Sequence, residues 1–495
     1  MDRRGVCLSA LILWLTVGTS LPLRGQITDS PLTIPSLGSD YSEGMRADVT
    51  DSDPADFEIS LRTDLLDSFV SRQTVESDDV ATQVLEADVR GVQTTTTSIR
   101  VQSVDSQSVA RLDLLATGVV SSSTVGITPQ ARVATTGNHT FDIRKPVFFD
   151  GRQFLTKPAF GSVRARQFPQ AVQTLASGVP LFGPIGERIA WNEVYRRMPM
   201  SDAVVVRQVA DDVLPKVNRG VDSELIKLNQ QWHRFRQMID RAAGSDSVYW
   251  NASTTSTALM IAARNPAARS PGTGRWESPV GLRSNLEDDE AVAMIILDAA
   301  VNRMLEQQPW GGLTVSDSAL QNLFQAAQAA TDDPQQLLTL LMEPAQQMPE
   351  PTLFSVRLAD QAPLTLLFHD GSVTISLKFQ VVPKSASPGQ LQLLNVRFAG
   401  QSEADGTWSV AVKQISAQPA DPGELPDAWT TLISNQAAVI ADRVPPSRLP
   451  RVIDLQFLND KLPLLRIRRI QTAGGWLRAS WQIEESAEQL TRCLP

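Results

Sequence analysis

The side chains that could perform acid–base or nucleophilic chemistry are few in this chain. Its 495 residues include three histidines, His139, His233 and His369. Histidine is the usual general base of enzymes, and only His369 has an acid, Asp370, as its neighbour. With a serine from elsewhere, these two residues would form the least implausible triad. Adjacent strand residues point to opposite faces, however, so Asp370 is badly placed to orient His369, and we interpret all three histidines as structural or solvated.

Metal and nucleotide motifs are not evident either. No two histidines have zinc-ligand spacing, and there is no Gly-x-Ser-x-Gly elbow, P-loop or Gly-x-Gly-x-x-Gly. An EF-hand starting at Asp51 would need Gly and Glu where Asp56 and Arg62 stand. We interpret the four carboxylates Glu287–Glu290 as a solvated charge run at a strand end, with metal binding as the alternative. The sequence thus predicts no catalytic residue, no cofactor and no metal site.

Tryptophan is unusually frequent compared with tyrosine, with ten residues against three. Trp408, Trp476 and Trp481 fall on predicted C-terminal strands. Core packing is the simplest interpretation of these three side chains. A tryptophan-lined groove for a sugar or a lipid is the functional alternative.

Residues 1–25 have the pattern of a secretory signal peptide, with an uncleaved membrane anchor as the alternative. Two arginines precede a short apolar run, Val6–Val17, and small residues follow it. Cleavage after Ser20 and cleavage after Gly25 both fit the pattern. Because no later stretch is apolar for long enough to span a bilayer, we expect export to a periplasm-like space, the cell surface or the extracellular medium.

Charge and cysteine content restrict the partners of the mature chain. The formal charge is −9, and removal of residues 1–25 takes away three arginines and one aspartate, leaving about −11. Such a chain is a poor general nucleic-acid binder, because that affinity comes from phosphate neutralisation. Only Cys493 would remain, so no intramolecular disulfide can form, and a tolerated tail residue or an intermolecular link are the two interpretations. The oligomeric state stays open.

The clearest structural signal is the segment Leu364–Phe379. Asp370-Gly371 is a two-residue turn between two alternating apolar runs. An antiparallel hairpin with one buried face has this pattern. The turn predicts the facing pairs Phe368 with Val373, Leu366 with Ile375, and Leu364 with Leu377.

Two stretches have the pattern of a strand that runs into a helix, Phe57–Val70 and Val292–Leu305, at a constant offset. Strand-rich sequence follows both, so we hypothesise a duplicated strand–helix–meander unit. In the first half, Leu85–Arg100 predicts strand structure. Ala110–Thr128 predicts two strands around Thr117-Gly118, and Ala131–Phe149 predicts two more, folded at Gly137-Asn138.

The middle of the chain, residues 163–245, is predicted to be mainly helical and to be divided by Pro184, Pro199 and Pro215. Its last helix carries an apolar stripe that we expect to pack on a sheet, with dimerisation as the alternative. The members of the stripe are Val221, Leu225, Leu228, Trp232, Phe235 and Ile239.

Together these patterns predict a β-rich α+β protein with two antiparallel meander-type β domains joined by a helical middle segment. The expected boundaries are a signal peptide at 1–25, a flexible lead-in at 26–56, an N-terminal β domain at 57–162, the helical segment at 163–245 and a C-terminal α+β domain at 246–495.

The order of elements resembles the tubular lipid-binding (TULIP-type) domains over residues 57–160 and 290–485, where a curved sheet wraps against a helix. The chain also looks like uncharacterised families of exported bacterial proteins. The signal-peptide pattern, the meanders and the missing catalytic residues predict an exported, non-enzymatic protein, either a binding module or a structural component of the cell envelope. The TULIP-type resemblance implies, more narrowly, a lipid or another apolar ligand bound between sheet and helix. The alternative is a hydrolase of an extracellular or cell-wall polymer with His369-Asp370 in a cleft.

Overall fold

A computed structural model describes residues 55–175, 177, 183–242, 248–264, 286–308, 310–319, 353–403, 407–441, 446–449, 452–453 and 463–484. The predicted signal peptide, nearly all of the predicted lead-in and Cys493 lie outside these residues. The first half of the described chain contains ten strands and two helices. These are β1 (Phe57–Arg62), α1 (Thr63–Val70), β2 (Arg72–Val84), β3 (Ala87–Val104), β4 (Ala110–Ile127), β5 (Ala131–Phe149), β6 (Phe154–Thr156), β7 (Phe160–Arg164), β8 (Gln167–Thr174), α2 (Gly183–Ala242), β9 (Tyr249–Thr254) and β10 (Ala258–Arg264).

The second half of the described chain adds eleven strands and two helices. These are β11 (Val292–Leu297), α3 (Asp298–Glu306), β12 (Thr314–Ser316), β13 (Phe354–Leu358), β14 (Leu364–His369), β15 (Ser372–Pro383), β16 (Leu391–Ser402), β17 (Trp408–Pro419), α4 (Ala428–Ala441), β18 (Ser447–Arg448), β19 (Val452–Ile453), β20 (Leu464–Ala473) and β21 (Trp476–Glu484).

Three antiparallel sheets organise these elements, which confirms the β-rich α+β class. The N-terminal sheet has the order β2-β3-β4-β5-β6, and β7 and β8 also pair with β5. The C-terminal sheet has the order β12-β13-β15-β16-β17-β18, and β14 pairs with β15. A third sheet, which we call the shared sheet, has the order β19-β20-β21-β11-β1-β10-β9 and takes strands from both halves.

The two predicted strand–helix stretches meet at the centre of the shared sheet. Both form a strand followed by a helix, β1-α1 and β11-α3, as predicted. The strands pair antiparallel, with Phe57 opposite Ile296, Ile59 opposite Met294 and Leu61 opposite Val292. This register relates the two strands by a local two-fold axis. The arrangement is the one a duplication would produce, and the duplication itself stays a hypothesis.

The hairpin at Leu364–Phe379 has the predicted register. β14 and β15 pair Phe368 with Val373, Leu366 with Ile375 and Leu364 with Leu377. Gly371 has φ of +69°, a conformation that glycine adopts without strain in a hairpin turn. Phe368 is buried in the core of the shared sheet, so the hairpin joins the C-terminal sheet to that core.

The N-terminal meander differs from the prediction. Ala110–Thr128 and Ala131–Phe149 were each expected to fold into two strands, but each is one long strand, β4 or β5. Gly118 is not a turn residue, because a Cβ atom there would lie 2.3 Å from the Phe141 ring and 2.3 Å from the Thr96 carbonyl oxygen. Glycine is therefore needed for close approach inside the sheet rather than for chain reversal.

The helical middle also differs from the prediction. Residues 160–174 are largely strand, β7 and β8, which extend the N-terminal sheet. Gly183–Ala242 forms one uninterrupted 60-residue helix, α2, with Pro199 and Pro215 inside it, rather than several helices divided at the prolines. Its C-terminal stripe packs on the sheets as expected, with Val221 and Leu225 buried and Trp232, Phe235 and Ile239 packed beside them. Leu228 instead remains 40% exposed.

In the C-terminal region, the sequence predicts a helix over Asp427–Asp442 and strands over Leu462–Ile470 and Trp476–Ile483, with a turn at Gly474-Gly475. Helix α4 and strands β20 and β21 occupy these segments. Trp476 and Trp481 are each 2% exposed, which confirms core packing for both rings. Within the residues that the structure covers, no helix has the length and apolarity needed to cross a membrane.

Candidate functional site

A cavity of about 1030 Å³ lies between the N-terminal sheet and the first half of α2. Strands β2, β3, β4 and β5 form its floor, and the helix from Gly186 to Val213 forms its roof. The floor is continuous because the four strands are long and paired along nearly their whole lengths. The roof exists because α2 is not broken at its prolines.

The inner end of this cavity is closed by apolar side chains. Val213 of α2 is 7% exposed and packs against the sheet. Beyond it, the C-terminal half of α2 lies directly on the sheets, with Trp232 in edge contact with Phe149 and Trp250. The helix therefore contacts the sheet tightly at one end and leaves space at the other. The sheet side of this apolar seal consists of Ile99, Ala116, Val120, Phe141 and Ile143.

Polar side chains cover the middle of the cavity floor. In the strand register, Gln93 pairs with Ser122, and Thr124 pairs with Thr135. Thr95 and His139 both pair with Val120, from opposite sides. All six polar residues line the cavity, and we call them the polar belt: Gln93, Thr95, Ser122, Thr124, Thr135 and His139. Successive side chains of a strand point to opposite faces of the sheet, and the belt residues of each strand are separated by an even number of positions. They therefore all point to the face that lines the cavity.

Apolar side chains surround the outer end, where the hairpin tips and the start of α2 meet. We call this group the apolar collar. Val84 is buried, whereas Leu85 is 37% exposed and Ile189 is 65% exposed. An amphiphile entering the cavity would pass these side chains first. The collar consists of Val84, Leu85, Val89, Val133 and Ile189.

One side wall of the cavity is a seam between helix α2 and strand β2 with the turn that follows it. The pairs that close it are exposed or half-exposed, and exposed ion pairs contribute at most about 1 kcal/mol each. The contacts across the seam are Arg197 with Glu86 (3.6 Å), Gln208 with Thr82 (3.1 Å) and Lys216 with Asp78 (3.2 Å).

The collar residue Leu85 has φ of +54°, a conformation that costs a non-glycine residue about 1 kcal/mol or more. We expect Leu85→Gly to raise the free energy of unfolding by about 0.5–1 kcal/mol, because glycine adopts this φ without strain. Urea denaturation measures the change. Leu85→Ala is the matched control, since it removes the same side chain and keeps the strain. Equal stability of the two variants would contradict this assignment.

His139 lies in the middle of strand β5, not in the turn that the sequence suggested. It is 4% exposed, and burial lowers the pKa of its imidazole, so the ring is neutral near pH 7. Its Nδ1 accepts the backbone N–H of Arg166 at 3.3 Å, which places the proton on Nε2. A Cβ atom at Gly137 would lie 2.5 Å from this Nε2 and 2.3 Å from Ser122 Oγ. The side chains of Ser122 and His139 thus occupy the space beside Gly137 that a larger residue would need.

The other two histidines lie elsewhere. His233 is exposed on α2 and contacts Gln237 at 2.9 Å. His369 and Asp370 line a separate cavity of about 590 Å³ together with Thr374, Arg397 and Gly474. In the portion of the chain that is described, no hydrogen bond joins His369 to Asp370, so the pair does not form the base and orienting acid of a triad.

The acidic run Glu287–Glu290 is not solvated throughout, contrary to the interpretation from sequence. Glu290 is fully buried and accepts two hydrogen bonds from Arg478 of β21, at 2.9 and 2.5 Å. Glu287 lies 2.5 Å from Arg469 in a more exposed pair. Across the described segments, no group of three His, Cys, Asp or Glu side chains is placed to hold a metal ion.

Comparisons with known proteins show a distant likeness only. No protein-family model and no curated protein sequence matches the chain. The crystal structure of lipopolysaccharide-binding protein matches 88% of this chain and 99% of that chain, with 9% identity and a TM-score of 0.30. The crystal structure of P47 of Clostridium botulinum E1 matches 87% and 99%, with 7% identity and a TM-score of 0.26. Both matches are distant, and neither assigns a family or a ligand to this chain.

Proposed function

We propose that this protein is an exported, non-enzymatic binding protein that holds an amphiphile in the cavity between its N-terminal sheet and α2. The observation that carries the proposal is the cavity itself. Its volume of about 1030 Å³ is at the upper end of the roughly 300–1,000 Å³ typical of small-molecule sites. Export is part of the proposal and is supported by the signal-peptide pattern of residues 1–25.

The lining favours an amphiphile over a purely polar or a purely apolar ligand. The collar and the inner seal present valine, leucine, isoleucine and phenylalanine side chains, and the polar belt between them presents hydroxyl, amide and imidazole groups. A hydrocarbon chain is stabilised by contact with the first set, at about 25 cal/mol per Å² of buried apolar surface. Hydrogen-bonding groups of a ligand are stabilised by contact with the second set.

Filling the cavity should abolish binding without unfolding the chain. We expect Val205→Trp, which points a large ring from α2 into the cavity, to reduce the amount of co-purified amphiphile at least tenfold. Native mass spectrometry of the purified full chain, with solvent extraction of bound lipid, measures the change. Ala203→Trp is the matched control, because Ala203 is exposed on the same helix.

The unaltered protein provides the decisive result. Recovery of a bound amphiphile from the unaltered chain and from Ala203→Trp, but not from Val205→Trp, supports the proposal. A chain that binds no amphiphile, even when incubated with mixed detergent-solubilised lipids, would overturn it and favour a structural role in the cell envelope.

A further inference from the structure

The polarity of the cavity changes along its length in an unusual order. From the mouth inward, the floor presents Val89 and Val133 of the collar, then the polar belt, then Phe141 of the apolar seal. The hydrogen-bonding groups therefore lie deep in the cavity, behind apolar side chains. A ligand whose polar head stayed at the mouth would leave these groups against hydrocarbon, which is unfavourable.

The deepest part of the belt has free hydrogen-bonding capacity. Within the described chain, no group forms a hydrogen bond with His139 Nε2 or with Ser122 Oγ. The His139 side chain is nevertheless almost fully buried, at 4% exposure. Both atoms lie over Gly137, which has no side chain, and both residues line the cavity. Nε2 is a donor and the serine hydroxyl is both donor and acceptor, so together they match a hydroxyl or carbonyl group.

The belt carries no formal charge. The basic side chains among the cavity-lining residues are Arg196 and Arg197, and both donate to Glu193 at 2.6 Å near the mouth. Lys216 lies in the seam, between Asp78 and Asp212. A phosphate or carboxylate placed on the belt would thus be buried away from these cations, at a high cost in desolvation.

We propose that the cavity selects an uncharged amphiphile and holds it with its hydroxyl- or carbonyl-bearing head inward, against Ser122 and His139, and with its tail toward the apolar collar. This inference rests on the proposed function and adds the ligand class and its orientation. A monoacylglycerol has the required chemistry, because its head offers hydroxyl and ester groups without charge. A fatty acid or a lysophosphatidic acid of equal chain length does not.

Affinity measurements on the full chain test the ligand class. We expect monoacylglycerol to displace a fluorescent amphiphile at a concentration at least tenfold lower than lysophosphatidic acid or fatty acid of the same chain length. Ser122→Ala should weaken monoacylglycerol binding about fivefold to tenfold, as expected for one lost hydrogen bond. His139→Gln provides a second variant of the same subsite. Ser121→Ala is the matched control, because Ser121 is exposed on the opposite face of β4.

Photocrosslinking tests the orientation. A monoacylglycerol with a diazirine at the end of its tail should label collar residues such as Leu85 and Ile189, as read by peptide mass spectrometry. Labelling of Phe141 or Val213 instead would place the tail inward and overturn the orientation while leaving the proposed function intact. Equal affinity for the anionic amphiphiles would overturn the ligand class in the same way. Failure of every amphiphile to bind would overturn both this inference and the proposed function.

Discussion

Glu290→Gln is expected to lower the free energy of unfolding by about 3–5 kcal/mol, because it removes one charge of a fully buried pair and leaves the other in place. Glu290 is 0% exposed and Arg478 is 3% exposed, and they share two hydrogen bonds. The pair joins the segment before β11 to β21 at the centre of the shared sheet. Urea denaturation at pH 7 measures the loss. The matched control is Glu287→Gln in the more exposed pair with Arg469, which should cost less than about 1 kcal/mol.

The acid sensitivity of the protein checks the same pair. Burial alone would raise the pKa of Glu290, but hydrogen bonds from Arg478 and from the backbone N–H of Glu287 outweigh burial and lower it to about 2. A carboxylate with a lowered pKa stabilises the fold fully above its unfolded-state pKa. That stabilisation is lost as the pH falls from about 4.5 toward 2. In the Glu290→Gln variant, the free energy of unfolding should therefore change less with pH between about 4.5 and 2 than it does in the unaltered protein. The same dependence on pH in both proteins would contradict the assignment.

Asp222→Ala is expected to cost about 2–3 kcal/mol, because it leaves the ammonium of Lys145 buried without its carboxylate. Lys145 is 1% exposed on the inner face of β5, and its Nζ lies 2.9 Å from Asp222 Oδ1 on α2. The expected loss is smaller than for a fully enclosed pair, since the Asp222 side chain is 37% exposed. Asn218 Oδ1 accepts a further hydrogen bond from Nζ, at 2.8 Å.

A double variant separates the charge effect from lost packing. Lys145→Met with Asp222→Ala should recover most of the stability, because no buried charge remains and the volume of the lysine is nearly kept. Lys216→Met in the exposed seam pair with Asp78 is the control, and it should change stability by less than about 1 kcal/mol. If the double variant were as unstable as Asp222→Ala alone, a buried charge would not be the cause. Denaturant titrations of the three variants provide the comparison.

The sequence predicted correctly those elements whose structure is determined by residues close together in the chain. The Leu364–Phe379 hairpin was predicted with its register because the Asp-Gly turn and the alternation of apolar residues are both local. The two strand–helix stretches, β1-α1 and β11-α3, were predicted for the same reason. Their pairing with each other in a shared sheet was not predicted, because nothing in either stretch specifies a partner more than 200 residues away.

Glycine and proline gave the wrong local signal where tertiary contacts decided the structure. Gly118 and Gly137 suggested turns, but they lie within long strands because neighbouring atoms occupy the space of a side chain. Pro199 and Pro215 suggested helix ends, but α2 continues through both residues, with the sheet packed along its later turns.

The candidate site could be predicted only in part. The resemblance in element order implied a ligand between sheet and helix, but the polar belt depends on which face of each strand turns inward. Ser122, Thr124 and Thr135 looked like ordinary strand formers, and their alternation with outward residues was the one signal that could have grouped them. His139 was assigned to a turn because β5 was split at Gly137.

The shared sheet has a consequence for the order in which the chain can mature on the ribosome. Strand β1 begins at residue 57, yet its two neighbours, β10 and β11, end at residues 264 and 297, and the next strand, β21, ends at residue 484. During synthesis from the N-terminus, β1 has neither of its neighbouring strands until some two hundred further residues have been made. Strand β11 then lacks its partner β21 for nearly two hundred more residues, and the carboxylate of Glu290 lacks Arg478 for the same interval. Unpaired edges of this kind invite aggregation. A nascent chain that stops before β21 would therefore present an open apolar edge to chaperones and proteases.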